Sequence, residues 1–277
     1  MIEIGKYNEL TINRRTVPGL FLTDDEGNDV LLPNKYIPNE FEIGEKINVF
    51  VYLDFDERLI ATTITPKITL HEFAPLKVVD VNHFGAFMDW GLEKDLFVPF
   101  KEQNYKMEVK KTYVVYLYED KNTGRLVASE RVNKWLSNET LSVNEGDKVK
   151  IIINKKTDLG YSAIINQKHI GLIYHDEIFE PLHLGDIKWA FIKKIREDNK
   201  IDLSLNQIGY IKTEPNAEKI LTLLHANNGF INLHDKSDPE EIKERLNMSK
   251  KAFKQSLGLL YKNKQIELLE NGVKLIS

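Results

Sequence analysis

A pattern centred on a glycine recurs three times along this chain and then stops, and no other feature limits the possible folds as much. The clearest copy begins Lys77-Val78-Val79-Asp80-Val81-Asn82-His83-Phe84-Gly85-Ala86-Phe87-Met88-Asp89-Trp90. It continues through Asp95-Leu96-Phe97-Val98-Pro99 and an alternating stretch from Thr112 to Tyr118, and closes with Gly124-Arg125-Leu126-Val127-Ala128-Ser129. The first copy carries Gly19-Leu20-Phe21-Leu22, Val30-Leu31-Leu32-Pro33, Ile43 to Asp54, and Arg58 to Thr62. The third carries Gly146 to Ile153, Gly160 to Ile165, Gly171 to Tyr174, and Lys200 to Leu205. Recurrence at roughly 65 to 70 residues suits whole small domains and is too long for the units of a solenoid.

Strand, glycine, strand, short apolar run, long strand and short strand describe a five-stranded antiparallel barrel, best matched by the OB type. After Gly209 the apolar period changes from 2 to 3.6. Ala217, Ile220, Leu221 and Leu224 share one helical face. Asp238-Pro239-Glu240-Glu241 starts a second helix with an N-cap, a first-position proline and acids at the positive end of the dipole. Ile242 and Leu246 form its apolar side, Asn247-Met248 makes a tight turn, and Ser249 caps a third helix whose inner face is Phe253, Leu257, Leu260 and Tyr261. A hairpin around Asn271-Gly272, a dipeptide suited to a type I′ turn, completes a winged helix. The expected class is therefore multidomain β plus α: three consecutive barrels over 1–66, 67–136 and 140–208, then a winged helix over 210–277.

The 277 residues leave room for four small domains, and with 42% hydrophobic residues each can bury a core. There is no cysteine, which removes disulfides, thiolate metal sites and thiol nucleophiles. The start lacks a basic region followed by an apolar core, and no run of about 18 apolar residues occurs, so a cytoplasmic protein without a membrane partner is expected. The seven histidines share no metal-binding helical spacing. No phosphate loop, nucleophile elbow or paired acids stand out. The expectation is a protein without catalysis, metal or cofactor. Nothing resembles a dimerisation helix, which favours a monomer.

Net charge is −4, from 38 basic and 42 acidic residues, so nucleic-acid binding must rest on local faces. The strands supply aromatics beside basic residues, and exposed rings on a barrel stack nucleobases at about 1 to 3 kcal/mol each. Phe84 and Phe87 straddle Gly85, and half the side chains of an alternating strand point inward, so either ring could be core filler. The third helix of the tail carries Lys250, Lys251 and Lys254 with no acid between Ser249 and Gln265. Such a face suits nucleic-acid contact, protein contact or plain solvation.

Phe84-Gly85-Ala86-Phe87-Met88, the apolar run and the closing Asp120 to Ser129 resemble the S1-type RNA-binding domain. That resemblance implies an RNA face of two aromatics, a histidine, an aspartate and an arginine. The second barrel keeps Phe84, Phe87, Asp120 and Arg125, with Val98 at the histidine position. The first keeps Phe21, Asp54 and Arg58, with Pro18 and Leu32 at the first aromatic and histidine positions. In the third, Leu159, Ser162 and Arg196 replace the aromatics and aspartate, Tyr174 the histidine and Lys200 the arginine. Three such barrels before a winged helix are similar to the conserved virulence factor B family, most specifically over Asp235 to Lys262. That family implies RNA binding and an influence on gene expression. The expected function is a non-catalytic regulator holding single-stranded RNA along the second barrel, with Lys77 and Arg125 near the backbone and the winged helix adding charge or orientation through Lys250, Lys251 and Lys254. The alternatives are a DNA-binding regulator using the winged helix, and a scaffold that meets the ribosome or other proteins.

Overall fold

The computed structural model describes residues 1–178, 181–206 and 215–276. The expected end of the third barrel at 207–208 and start of the winged helix at 210–214 lie outside the described residues. The chain divides into two compact units, Met1–Leu205 and Asn206–Ser277.

The first unit holds three five-stranded sheets. In the first, β1 (Tyr7–Arg15), β2 (Gly19–Thr23), β3 (Asp29–Pro33), β4 (Lys46–Leu53) and β5 (Leu59–Thr62) close in the order β1-β2-β3-β5-β4. The second contains β6 (Phe73–Val81), β7 (Gly85–Asp89), β8 (Leu96–Pro99), β9 (Thr112–Glu119) and β10 (Leu126–Ser129), ordered β10-β9-β6-β7-β8, with β8 and β10 side by side. In the third, β11 (Lys148–Thr157), β12 (Gly160–Ile165), β13 (His169–Tyr174), β14 (Ile187–Ile195) and β15 (Ile201–Ser204) close as the first does. The barrels are not wholly antiparallel as expected, because β3 pairs in parallel with β5 and β13 with β15. Direction forces this: β4 opposes β1 and β5 opposes β4, so β5 must run with β3.

Two local devices recur in every copy. The first strand of each sheet shifts register at one point, between Ile12 and Arg14, Val78 and Asp80, and Ile153 and Lys155, which bends it around the barrel. The marker glycine then pairs closely with the third strand. A Cβ on Gly19, Gly85 or Gly160 would lie 2.0, 2.3 or 1.9 Å from the carbonyl oxygen of Leu32, Val98 or Ile173. No side chain fits there, which is why the repeat reads around a glycine.

Several strands are buried on both faces. On β4, Val49 and Val51 enter the first core while Phe50 and Tyr52 join the second core, edge-on to Trp90 at ring separations of 5.8 and 6.0 Å. On β9, Val115 and Leu117 fill the second core, and Val114 and Tyr116 pack with Phe73, Val132, Ile152 and Ile164 between the second and third sheets. The Gln167 side chain accepts from the Phe73 amide at 2.6 Å and donates to the Phe73 carbonyl at 3.0 Å across that junction. These runs are continuously apolar because both faces leave water, at about 1.5 to 3 kcal/mol per large side chain.

The second unit contains α1 (Pro215–Ala226), β16 (Phe230–Ile231), α2 (Pro239–Leu246), α3 (Lys250–Lys262), β17 (Ile266–Leu269) and β18 (Gly272–Leu275). Ala217, Ile220 and Leu224 meet Ile242, Leu246, Phe253, Leu257 and Leu260 over Ile266 and Val273. The Asp238 carboxylate accepts from the Glu240 amide at 2.8 Å, Asn247 takes left-handed backbone, and the Ser249 hydroxyl accepts from the Ala252 amide at 3.2 Å. Tyr261 corrects the expected inner face: it lies about 100° round the helix from Leu260 and is 57% exposed. The hairpin also departs from expectation. Leu269 pairs with Gly272, so Glu270 and Asn271 form the turn, and neither has the positive φ that a type I′ turn demands. Gly272 serves instead to let β18 approach β16, since a Cβ there would sit 2.2 Å from the Ile231 carbonyl oxygen.

Candidate nucleic-acid interface

In the second sheet the Asn82 side chain accepts from the amides of Phe84 at 2.8 Å and Gly85 at 3.3 Å, a turn that lifts Phe84 out of the barrel. Phe84 is 63% exposed, with its ring centroid 3.9 Å from that of His83. Along β7 and β8, Ala86, Met88, Leu96 and Val98 point into the core, which leaves Phe87 and Phe97 on the outer face. These two are direct cross-strand partners, with ring centroids 5.2 Å apart. Neither Phe84 nor Phe87 is core filler.

The rings form one wall of a cleft of about 710 Å³. Tyr52, Leu53, Phe55 and Glu57 of the first barrel line the opposite side, and Trp90, Lys94, Asp95 and Arg125 of the second contribute to the rest. The cleft is fixed in width by Phe50 and Tyr52 against Trp90, and by the Lys94 ammonium, which donates to the Asp54 carbonyl at 2.6 Å. Burial holds Lys94 below the ordinary ammonium range. Burial, with the neighbouring Asp89 and Asp80, raises Asp95 above the ordinary carboxylate range. Glu57, Asp80 and Asp95 face two cations, Lys94 and Arg125, so the lining offers planar apolar contact more than phosphate attraction. A base fits such walls better than a chain of phosphates.

Arg125 is exposed and forms an ion pair with Glu57 across the cleft. Asp120 has a different job from the one its position suggests. Its carboxylate accepts from the Asn122 amide at 2.9 Å and lies 3.7 Å from Lys101, which together hold it below the ordinary range, and its amide donates to the Arg125 carbonyl at 2.9 Å. It shapes the turn that presents Arg125. Lys77 is exposed on β6 opposite Asp89, which already binds Lys67 at 2.5 Å, and it does not line the cleft.

The other barrels arrange the corresponding side chains differently. The Arg14 guanidinium lies 4.4 Å over the Phe21 ring and binds Asp29 at 2.8 Å, so one face of that ring is occupied. Arg58 donates to Asp54 at 2.8 and 3.0 Å and to Asp56 at 2.8 Å within its own turn. In the third barrel the Arg196 guanidinium donates to the Tyr174 hydroxyl and to Asp202 at 3.0 Å, and Lys200 binds Asp198 at 2.6 Å. On α3, Lys250 is partly covered and donates to the Lys236 carbonyl at 3.3 Å, Lys254 stands 3.9 Å from Asp235, and Lys251 is exposed.

Strand register corrects the histidine positions read from the sequence. Gly160 pairs with Tyr174, and in the other copies Gly85 pairs with Pro99 and Gly19 with Pro33. The equivalents of Tyr174 are therefore Pro99 and Pro33. Val98 and Leu32 are one residue short, and a one-residue slip moves a side chain from the surface to the core, where both are fully buried. The sequence reading also missed Phe97, Phe55, Tyr52, Trp90, Glu57 and Lys94 as cleft residues. Phe97 was accessible through its alternation with Leu96 and Val98, whereas the others depend on how two barrels meet.

Comparison with known proteins adds the family. The S1 domain matches residues 4–64 and 72–130, and the CvfB-like winged helix domain matches residues 218–275. The chain is 25% identical to a multidomain protein with nucleic acid binding domains from Streptococcus pneumoniae, over 99% of this chain and 98% of that one, with a TM-score of 0.48. It is 27% identical to conserved virulence factor B of Staphylococcus aureus (strain MRSA252), over 83% of this chain and 79% of the relative. The same identity, over 83% and 80%, relates it to conserved virulence factor B of Staphylococcus epidermidis (strain ATCC 12228). Bacillus subtilis YitL is 33% identical over 97% of this chain and 92% of its own length. With two S1 domains, a CvfB-like winged helix and relatives that align over most of its length, the chain belongs to the conserved virulence factor B family.

Proposed function

We propose that this protein is a non-catalytic regulator of gene expression that binds single-stranded RNA through the aromatic wall of its second barrel. The observation that carries the reading is the set of Phe84, Phe87 and Phe97 rings, held outside the barrel core and facing a cleft. Two or three bases stack on these rings, and the backbone runs past Arg125. The S1 match over residues 72–130 supports nucleic acid as the ligand class, and the regulatory role is what the resemblance to the conserved virulence factor B family implies. Lys251 and Lys254 of the winged helix add phosphate contacts, as Lys77 does beyond the cleft. Phe21 and Arg58 of the first barrel, and Tyr174 and Lys200 of the third, take lesser parts because charged side chains of their own barrel engage them, whereas Arg125 pairs across the cleft.

Fluorescence anisotropy of the intact protein with labelled single-stranded RNA, beside duplex DNA of equal length at two salt concentrations, tests this. Salt-dependent binding that prefers the RNA is expected, with a log-log slope of roughly −3 if about four phosphates are neutralised. A preference for duplex DNA would move the function to the winged helix. Silence from both ligands would favour a protein-binding scaffold.

A further inference from the structure

Arginine and lysine at the closing turn of a barrel are held in two ways in this molecule. In the first barrel Asp54 and Asp56, on the same turn as Arg58, bind it. In the third barrel Asp202 binds Arg196 and Asp198 binds Lys200, again from within the barrel. The second barrel differs, because Asp120 is spent on Lys101 and on backbone amides. Arg125 is left to Glu57, which stands on the first barrel at the other side of the cleft.

This ion pair crosses the mouth of the proposed RNA site. Both side chains are about half exposed, at 54% for Arg125 and 49% for Glu57, so either can swing away without repacking. The walls beneath it cannot, because Phe50, Tyr52 and Trp90 are buried against one another and Lys94 is bonded to the Asp54 carbonyl. Lys94 is thereby committed, which makes Arg125 the cation of the lining best able to meet a phosphate. A carboxylate and a phosphate oxygen offer a guanidinium the same planar, charge-assisted hydrogen bonds.

We propose that Glu57 is an intramolecular stand-in for a nucleic-acid phosphate: it occupies Arg125 when the cleft is empty and must be displaced when a strand enters. The proposal rests on the RNA reading above. Binding is then an exchange of one anion for another, so a strand gains affinity from Arg125 only by outcompeting a tethered carboxylate. The exchange lowers affinity by the same factor for every strand that uses Arg125, so the latch sets how much stacking a strand needs to bind at all and leaves the preference among bases to the aromatic wall.

The test compares the wild-type chain with Glu57→Gln, with Asp25→Asn, and with the double variant Glu57→Gln/Arg125→Gln, using a labelled RNA of about 12 nucleotides. Asp25 is an exposed carboxylate on the β2–β3 turn of the same barrel and reports the effect of overall charge. Glu57→Gln is expected to tighten binding about two- to fivefold, as an exposed pair warrants, and to steepen the log-log salt slope by about 0.7. Asp25→Asn should change affinity by less, and the double variant should bind no more tightly than wild type. An unchanged or weakened Glu57→Gln, an equal gain from Asp25→Asn, or a gain that survives loss of Arg125 would each overturn the latch while leaving RNA binding intact. Absence of binding by wild type and every variant would overturn the RNA reading itself, and the latch with it.

Discussion

The second and third barrels share a scaffold and differ in the face they present. Each bends its first strand at the same point, and each presses a glycine against a carbonyl of the third strand. Each also sets a glutamate after that strand to accept a hydroxyl hydrogen bond at 2.7 Å, Glu102 from Ser129 and Glu177 from Ser204. On the outer face, however, Phe84 and Phe87 give way to Leu159 and Ser162. An arginine free to reach across a cleft gives way to Arg196, locked on Asp202 and Tyr174. The scaffold positions are those where a side chain would collide or a buried charge would lose its partner. The face positions lie outside the barrel cores, so one barrel can keep a stacking surface and its neighbour can do without.

The most severe way to break this comparison is to attack the shared scaffold. Gly85→Ala and Gly160→Ala should each destabilise by about 3 kcal/mol, near the upper end of overpacking effects, measured by urea unfolding of the intact chain. A large loss in one copy and none in the other would show that the barrels do not rely on the same contact. Next comes the face. Phe84→Ala/Phe87→Ala should weaken RNA binding by roughly tenfold or more with the circular dichroism spectrum unchanged, and Leu159→Ala/Ser162→Ala should leave affinity within about twofold. Equal losses from the two pairs would make both barrels working surfaces.

Subtler is the buried glutamate. Burial alone would raise Glu102, but the Ser129 hydroxyl and Lys134 outweigh it and hold the carboxyl below the ordinary 4.5; for Glu177 the same opposition involves Lys193 and Ser204. A depressed folded pKa means that the ionised form stabilises the fold above pH 4.5 and that this contribution disappears as pH falls through the lower folded value. Glu102→Gln should therefore cost about 1 to 3 kcal/mol at pH 7 and progressively less below pH 4, read from urea midpoints across pH. Glu177→Gln should behave alike. The smallest effect is expected from Arg58→Gln, whose urea midpoint should stay close to wild type because the Arg58 side chain is exposed and its pairs with Asp54 and Asp56 lie in water-screened surroundings.

Much of this architecture was legible in the residues because its causes are local. Alternation marks a strand, a glycine that nothing else can replace marks each copy, and Asp238-Pro239 marks a helix start. Errors arose where a second cause competed with the local one. Asn271-Gly272 looked like a turn, but the glycine is reserved for the approach of β18 to β16. Tyr261 had the right chemistry for a core and the wrong angle. Val98 and Leu32 sit one residue short of the surface position that register gives to Pro99 and Pro33. The first strand β1 and the fourth strand β14 escaped the glycine-centred pattern altogether. The cleft was the least legible part, since Glu57 and Arg125 meet only after two barrels have packed, and no spacing within either copy encodes that distance.

The continuous apolar runs of β4 and β9 have a consequence for anyone who would take the protein apart. Phe50 and Tyr52 belong to the first copy by sequence and to the second by packing, and Ile152 and Ile164 serve the second and third copies jointly. Scissors applied between copies would strand these side chains in water on both fragments. The repeat is a unit of description, while the triplet is the unit of cooperativity, and truncations that silence RNA binding would report on lost folding as readily as on a lost binding face.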